Sequence, residues 1–283
     1  MSLRENQIMQ PEEFRLLREF VAAEFGLLMD EGRVAYLSSR LLPRLRELHL
    51  ETFMDYYTHL KFSPRGGEEL RQFISLVTNN ETYFFREDAQ LQVLAGHVIP
   101  LLKVRKQRDG ERKIRIYSAG CSSGEEVYTI AMILLESGHF LWEWDLMVSG
   151  IDVDPLMIKR AQEGVYCGRA FQSTPQQLLD KYFSRVGDCY RVKNSLRAIT
   201  SFQQGNLLTL DPFLGKEPVD VIFCRNVFIY FSDDTTRKVV ESFANLLEPD
   251  GYLFLGHSES LSRISSLFQP SRHPGAIVYS KRG

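Results

Sequence analysis

The residues best suited to bind a small ligand stand where predicted strands end. One strand leads into the turn Ser-Ala-Gly-Cys-Ser-Ser-Gly at 118–124 and then directly into a helix. Glycines allow a tight turn that brings the backbone close to a ligand, and the N-terminus of a helix offers unpaired N–H groups to an anionic atom. Because many α/β proteins use such a turn for packing alone, the motif by itself does not establish a ligand site.

Asp152 favours the ligand-binding interpretation. It ends the next predicted strand, so its carboxylate lies at the carboxyl edge of a parallel sheet, where carboxylates accept hydrogen bonds from ribose hydroxyls. It follows Gly120 by more than the roughly 20 residues of a dinucleotide fingerprint, which disfavours nicotinamide binding. Asn206 closes a later segment, and Arg225-Asn226 ends the third strand. The sequence therefore predicts a nucleoside-type site at one sheet edge.

Strands and helices alternate around these residues. After about residue 112, β-branched apolar runs are followed by helical periods, which predicts a doubly wound α/β sheet. The stretch at about 165–205 fits this rhythm poorly and is predicted to be a small insertion with one helix and two short strands. The three principal strands are KIRIYSAG, DLMVSGID and VDVIFCRN.

The end of the chain makes the fold class more specific. A helix, a Pro-Asp-Gly turn and a strand (LLEPDGYLFLG) are followed by a last strand, AIVYS, with no long helix between them. This ending resembles class I S-adenosylmethionine methyltransferases, which have a Rossmann-like sheet whose last strand is antiparallel. Taken with the glycine turn, it makes that superfamily the leading interpretation.

The N-terminal region predicts helices only. Apolar residues recur at helical spacing at 11–26, at about 32–49, at 51–60 and at 68–77, with a break in SPRGG at 63–67. Pro43 lies inside the second pattern and is expected to kink or split it. The sequence thus predicts an all-α domain at 1–77, a linker and connecting helix at 78–111, and an α/β domain at 112–283.

Composition and charge exclude several classes of protein. Lys and Arg number 34 against 36 Asp and Glu, giving a net charge of −2 and no global basic field for nucleic acid. No apolar run is long enough to enter a membrane, and MSLRENQIMQ lacks the core of a secretion signal. The four cysteines are scattered without metal-like spacing, which predicts free thiols, no metal site and a cytoplasmic location.

Four sequence blocks in order resemble the chemotaxis receptor methyltransferase family, CheR. The basic segment GRVAYLSSRLLPRLR, residues 32–46, is similar to that family's N-terminal helix, so the resemblance extends over nearly the whole chain. For the first block alone, a helix start capped by Thr82 or Asn80 and stapled by Phe84 and Phe85 is the simpler alternative. The blocks are TNNETYFFRE at 78–87, AGCSSGEEVY at 119–128, FCRNVFIYF at 223–231 and PDGYLFLGHSES at 249–260.

The resemblance implies a reaction and a cofactor. Members transfer a methyl group from S-adenosylmethionine to a receptor glutamate, which gives a methyl ester and S-adenosylhomocysteine. Glutamate, with an unperturbed pKa of about 4.3, is already ionised at neutral pH, so no general base is required. The positions matching the family's cofactor contacts are Asn80, Thr82, Arg86, Glu126, Asp152, Asn206, Leu207, Arg225 and Asn226.

Two residues match positions beside the reacting groups. Tyr230 matches a tyrosine near the transferred methyl, with a half-buried structural tyrosine as the alternative. Arg86 is predicted to orient a carboxylate, either the substrate's or the cofactor's, because a guanidinium matches that shape. For Cys121, in the glycine turn, a packing role is favoured.

Receptor recognition is predicted from charge. Arg33, Arg40 and Arg44 share one helix face if Pro43 leaves the helix regular, and that face would suit the acidic methylation regions of receptor helices. A solvated helix face is the alternative. The segment YFSRVGDCYRV, residues 182–192, is shorter and less glycine-rich than in members that bind a receptor's C-terminal pentapeptide, which argues against that tether.

Two other functions compete with receptor methylation. A small-molecule methyltransferase would need neither the basic helical domain nor the block at 78–87. A non-catalytic, S-adenosylmethionine-binding signalling module would have no reason to retain the full site, including Asn80, Arg86, Asp152, Asn226 and Tyr230. The sequence therefore favours methylation of a receptor protein.

Overall fold

A computed structural model describes residues 7–62, 64, 67–140, 143–210 and 217–282 of the chain. Ser63, Arg65 and Gly66 of the predicted break at 63–67 lie outside the described residues, as do residues 1–6 of the N-terminal segment. Among the described residues, no helix has both the length and the apolar character needed to cross a membrane.

The N-terminal region folds into four helices around an apolar core. Pro11 occupies the first turn of its first helix, which ends at Gly26 with φ of +72°. Pro43 does not split the second helix, which continues through it. Leu17, Leu41 and Tyr56 are among the fully buried core residues. The helices are α1 (Pro11–Phe25), α2 (Val34–Glu47, preceded by a 3₁₀ turn at Glu31–Arg33), α3 (Phe53–Phe62) and α4 (Glu68–Val77).

The segment at 78–87 is a loop. The next helix begins at Asp88 with Glu87 at its N-cap, so neither Thr82 nor Asn80 caps it and that alternative was wrong. Phe84 is fully buried and stacks on Phe171 of the insertion at 5.1 Å between ring centroids. The connecting helices are α5 (Asp88–Val93), a π-helical turn (Leu94–Val98) and α6 (Ile99–Arg108).

The α/β region contains the remaining α-helices and strands. They are β1 (Lys113–Ala119), α7 (Glu125–Glu136), β2 (Asp145–Asp152), α8 (Pro155–Glu163), β3 (Val165–Cys167), α9 (Gln176–Tyr182), β4 (Phe183–Val186), β5 (Cys189–Val192), α10 (Asn194–Arg197), β6 (Thr200–Gln204), β7 (Val219–Cys224), α11 (Asp233–Leu246), β8 (Leu247–Leu255), β9 (Phe268–His273) and β10 (Ala276–Lys281).

Seven of these strands form the central sheet in the order β6-β2-β1-β7-β8-β10-β9. Strands β6, β2, β1, β7 and β8 pair in parallel, whereas β10 is antiparallel to both β8 and β9. This topology confirms the predicted doubly wound sheet with an antiparallel last strand. Strand β9 was not predicted, because most of its residues are polar and exposed at the sheet edge.

The segment predicted to be an insertion, at about 165–205, contains a separate three-stranded antiparallel sheet, β3-β5-β4. The prediction was wrong for its last strand, because Thr200–Gln204 forms β6, which pairs in parallel with β2 in the central sheet. Cys167 and Cys189 face each other across β3 and β5 and form a disulfide with Cα atoms 4.4 Å apart. The prediction of free thiols was therefore wrong for this pair, because a spacing of 22 residues carries no pattern and only the strand register brings the two together. Cys121 and Cys224 are free and buried.

Candidate active site

A deep cleft opens at the carboxyl ends of β1, β2 and β7. It has a cavity volume of about 130 Å³ and lies between the sheet edge, the loop at 78–87 and the helical domain. Apolar residues of the helical domain, including Val21 and Phe25, form part of its wall. The predicted site residues in the wall are Arg33, Asn80, Thr82, Arg86, Glu126, Asp152, Asn206, Leu207, Arg225, Asn226 and Tyr230.

The glycine turn after β1 is shaped by contacts with its neighbours. Gly120 has φ of +79°, and a Cβ added there would lie 2.5 Å from Cγ2 of Val227, so a side chain has no room. The backbone N–H groups of Gly120 and Cys121 both donate to the carbonyl oxygen of Ile151. Gly120, Cys121 and Ser122 line the cleft, so a ligand bound there would lie close to the main chain of the turn.

Asp152 is held by backbone donors at the end of β2. Its Oδ2 accepts from Ser122 N–H at 2.7 Å, and its Oδ1 accepts from Asp154 N–H at 2.9 Å. Burial raises the pKa of Asp152 to about 6, and the charge of Asp154 raises it further while the two N–H donors oppose the shift. Each carboxylate oxygen has more than one lone pair, so Asp152 can still accept from a ligand hydroxyl.

Glu126 and the buried Arg225 form an ion pair in the cleft wall. Arg225 Nε donates to Glu126 Oε2 at 2.6 Å, and Ser118 Oγ donates to Glu126 Oε1 at 2.7 Å. A second guanidinium nitrogen of Arg225 donates to the carbonyl oxygen of Arg86 at 2.8 Å. These two predicted cofactor residues neutralise each other and tie the loop at 78–87 to the sheet.

Asn226 is positioned by Glu87, a residue that the sequence analysis did not select. Asn226 has φ of +58°, and its Nδ2 donates to Glu87 Oε1 at 3.1 Å. His257 N–H donates to the other carboxylate oxygen at 3.2 Å. Burial alone would raise the pKa of Glu87, but the charge of Arg225 and the hydrogen bonds from His257 and Asn226 outweigh it, so this pKa lies below its usual value.

Asp154 is a second residue that was missed. It is fully buried and caps α8 by accepting from Leu156 N–H at 2.9 Å. The same carboxylate accepts from Ser75 Oγ of α4 and from Asn80 Nδ2, the latter at 2.8 Å. The sequence signal for it was present, because Asp-Pro at a helix start is a typical N-cap, but the pairing with α4 and the linker was not visible.

Tyr230 lies where the two domains meet. Leu28 N–H donates to the carbonyl oxygen of Tyr230 at 2.6 Å, and Leu27 forms a β-bridge with Phe231. Asn79 Nδ2 donates to the phenol oxygen of Tyr230 at 3.4 Å. The helical domain therefore contacts the loop that follows β7 through the main chain.

Asn206 and Arg86 complete the wall from opposite sides. Asn206 caps a 3₁₀ turn that begins at Leu207, and its Nδ2 donates to the carbonyl oxygen of Glu24 in α1 at 2.9 Å. Arg86 is half-buried, and one of its guanidinium nitrogens donates to the carbonyl oxygen of Glu81 at 2.7 Å. Because a guanidinium has five N–H donors, Arg86 keeps several for a carboxylate.

The three arginines predicted for docking have different surroundings. Arg33 lines the cleft, with its guanidinium carbon 5.2 Å from the ring centroid of Tyr36. Arg40 turns toward α4 and donates to the carbonyl oxygens of Ser75 and Thr78. Arg44 forms ion pairs with Glu69 and Glu47. Arg33 is thus the member of this set that reaches the cleft.

Metal ligands do not gather in the part of the chain that the structure describes. There, no group of three or more His, Cys, Asp or Glu side chains is placed so that it could hold an ion.

Comparison with known proteins covers both parts of the chain. A family model described as the all-alpha domain of CheR methyltransferase matches residues 12–78, and one described as the SAM-binding domain of CheR methyltransferase matches residues 80–277. The chain is 38% identical to chemotaxis protein methyltransferase 2 of Vibrio cholerae over 95% of this chain and 92% of that one. It is 33% identical to the chemotaxis protein methyltransferase of Escherichia coli, over 95% of this chain and 91% of that one.

Proposed function

The chain belongs to the CheR methyltransferase family, and we propose that it transfers a methyl group from S-adenosylmethionine to glutamate side chains of chemoreceptors. The products are a methyl ester on the receptor and S-adenosylhomocysteine, and the reaction sets receptor adaptation in chemotaxis. One observation carries the proposal: the residues that match the family's cofactor positions come from separate segments of the chain, and all of them line one cleft.

The cleft has the donors and acceptors that an adenosyl cofactor needs. Asp152 offers carboxylate oxygens at the end of β2 for the ribose hydroxyls, and the turn at Gly120 lets the ligand approach the main chain. Asn206 and the buried Leu207 stand on the far side, suited to the adenine. When bound, S-adenosylmethionine supplies an electrophilic methyl group on a positively charged sulfur. We propose the matched residues, Asn80, Thr82, Arg86, Glu126, Asp152, Asn206, Leu207, Arg225 and Asn226, as its binding site.

The task of the protein is to align the receptor carboxylate with that methyl group. Well-oriented reactants can gain up to roughly 7–11 kcal/mol relative to separate ones, so alignment alone accounts for a large acceleration. We propose that Arg86 orients a carboxylate and that Tyr230 donates a hydrogen bond beside the methyl. Val21, Phe25 and Leu27 would exclude water from the cleft, which matters because a hydrated carboxylate attacks poorly.

The receptor helix is proposed to approach from the helical domain. Arg33 contributes a positive charge to the cleft wall, and the main chain at Leu28 joins the loop that carries Tyr230. An acidic receptor segment entering there would meet Arg33 before it reached the methyl group. We include Arg40 and Arg44 in this docking proposal with a smaller part, because their guanidinium groups bind residues of the same domain. The proposal needs no pentapeptide tether.

Methyl transfer to membranes tests this function directly. The protein is incubated with methyl-labelled S-adenosylmethionine and membranes that contain candidate chemoreceptors, and the label released as a volatile product by base is counted. Base-labile label in the receptor band supports the proposal. Label transferred from S-adenosylmethionine to another small molecule would favour a small-molecule methyltransferase, and S-adenosylhomocysteine binding without any transfer would favour a non-catalytic module.

A further inference from the structure

Glu259 lies in the turn that follows β8 and bonds to the loop that follows β7. Its Oε2 accepts from Gly256 N–H at 2.6 Å and from Asn226 N–H at 2.9 Å. Its Oε1 accepts from Val227 N–H at 2.9 Å and from Ile229 N–H at 3.3 Å. One carboxylate therefore joins two loops at the sheet edge through four backbone donors.

We propose that Glu259 is a positioning residue for methyl transfer: it holds the main chain at 226–229 in the conformation that presents Asn226 and Tyr230 to the cleft. This inference rests on the proposed function, because it assumes that Asn226 binds the cofactor and that Tyr230 lies beside the methyl group. Glu259 itself is not among the residues that line the cleft, so it acts through the loop.

The loop has a conformation that needs such support. Asn226 has φ of +58°, in the left-handed region that non-glycine residues rarely adopt. The next residue, Val227, packs against Gly120, where an added Cβ would lie 2.5 Å from Val227 Cγ2. A shift of this loop would therefore move both the Asn226 side chain and the glycine turn that faces the cofactor.

The turn after β8 is built tightly around the carboxylate. A Cβ added to Gly256 would lie 2.7 Å from Glu259 Oε2 and 2.9 Å from Asn226 N. The turn is closed by Glu259 N–H, which donates to the carbonyl oxygen of Gly256 at 2.9 Å. The absence of a side chain at Gly256 is what lets the carboxylate reach the loop.

The carboxylate is stabilised by amides rather than by a cation. Among the described residues, no Lys, Arg or His nitrogen forms an ion pair with Glu259. Burial raises the pKa of Glu259, and the surrounding backbone N–H groups oppose that shift. A glutamine of the same shape has one acceptor oxygen, and its NH₂ group would face N–H donors. The four-donor arrangement therefore requires the carboxylate itself.

The variant Glu259→Gln tests the role with two measurements on the full chain. Calorimetry with S-adenosylhomocysteine gives the affinity and the fraction of competent sites, and receptor methylation at saturating S-adenosylmethionine gives kcat. Loss of hydrogen bonds to a charged group predicts about a tenfold rise in Kd and about a tenfold fall in kcat, with the stoichiometry still near one. Glu248→Gln is the matched control, because Glu248 is a partly buried glutamate at the opposite end of β8 that pairs with Lys106, and it should keep parent values.

Each other outcome has a definite meaning. Parent Kd and kcat in Glu259→Gln would overturn the inference, and so would a reduced stoichiometry with parent values for each competent site, since that pattern is loss of folding alone. If Glu259→Gln does not fold, Glu259→Asp takes its place: it keeps the charge, but its shorter side chain withdraws the carboxylate from the loop, so it must give the same two losses. If the parent protein methylates no receptor, the proposed function fails, while the affinity comparison still decides the role of Glu259.

Discussion

Asn80 and Asp154 are joined by a hydrogen bond of 2.8 Å between Nδ2 of the amide and Oδ2 of the carboxylate. This bond fixes a predicted cofactor residue of the linker to the first turn of α8. Because Asp154 also accepts from Ser75 of α4, one buried carboxylate joins the helical domain, the linker and the sheet. The geometry of the cleft thus depends on a residue that does not itself line it.

We expect Asp154→Ala to destabilise the protein. It removes the cap of α8, which typically contributes about 0.5–2 kcal/mol, and leaves buried donors of Ser75 and Asn80 unpaired, at about 1–3 kcal/mol each. Since these terms are not additive, we expect a loss of about 2–4 kcal/mol in the free energy of unfolding. Urea denaturation measures it, with Asp180→Ala on the exposed part of α9 as the control. A loss below about 1 kcal/mol, the range of an ordinary surface substitution, would contradict this account.

Asp152→Ala should weaken S-adenosylhomocysteine binding by about 1.5–3 kcal/mol, the range for a hydrogen bond to a charged group. The reason is the position of its carboxylate at the end of β2, where a ribose would lie. Calorimetry measures the affinity, and a structure with the bound product locates the ribose. A ribose beyond hydrogen-bonding distance of Asp152, or an unchanged affinity, would remove this residue from the cofactor site.

The same contact predicts a pH dependence. Burial raises the pKa of Asp152 to about 6 in the folded protein, and a ribose hydroxyl donates better to the ionised form. Affinity for S-adenosylhomocysteine should therefore be greatest above about pH 6 and fall as the pH drops through that value, with binding there releasing a proton. Asp152→Asn should abolish this fall in affinity at low pH. Burial raises the pKa of Glu125 to about 7, so Glu125 titrates in the parent and in the variant alike and cannot cause a difference between them. A parent-like pH profile in Asp152→Asn would show that another group is responsible.

Parallel strands explain why so much of the cleft could be predicted from sequence. Asp152 and Arg225 are recognisable as strand ends, and the carboxyl ends of parallel neighbours must lie at one edge. These inferences need only local periodicity and a rule of topology. The antiparallel last strand was predicted instead from the resemblance of the C-terminal segment to class I methyltransferases.

Contacts between distant segments explain what the sequence could not show. Glu87 binds Asn226, and Cys167 bonds to Cys189, only because of the tertiary fold. Helical periodicity placed Arg40 and Arg44 on one face of α2, but it could not show that this face packs toward α4. A helical wheel shows which residues share a face of a helix, but only the tertiary packing shows which element that face contacts.

Arg86→Ala should reduce turnover far more than it disturbs the fold. Arg86 is half-buried in a loop, and its guanidinium donates to the carbonyl oxygen of the nearby Glu81, so little of the core depends on it. Loss of a charge-assisted contact to a carboxylate predicts at least about a tenfold fall in kcat/KM. Receptor methylation rates and thermal melting are measured together, with Arg237→Ala on α11 as the control. Near-parent turnover, or simple unfolding, would exclude Arg86 from the site.

Charge reversal tests receptor docking, and the structure separates the three arginines. We expect Arg33→Glu to lower kcat/KM for receptor by roughly two- to fivefold, the effect of an exposed ion pair worth about 0.4–1 kcal/mol, within the range for such pairs. Affinity for S-adenosylhomocysteine should stay near the parent value if Arg33 meets the receptor rather than the cofactor. Arg44→Glu should instead lower the melting temperature, because it places a third carboxylate beside Glu69 and Glu47.

Salt and a distant control complete the docking test. Exposed charges are screened over about 8–10 Å at physiological ionic strength, so added salt should weaken receptor methylation by the parent more than by Arg33→Glu. Arg272→Glu, on the edge strand β9, changes the net charge by the same amount far along the sheet from the cleft and should leave methylation unchanged. Equal losses in Arg33→Glu and Arg272→Glu would mean that net charge alone sets the rate. Parent rates in Arg33→Glu at limiting receptor would leave Arg33 as a solvated side chain at the mouth of the cleft.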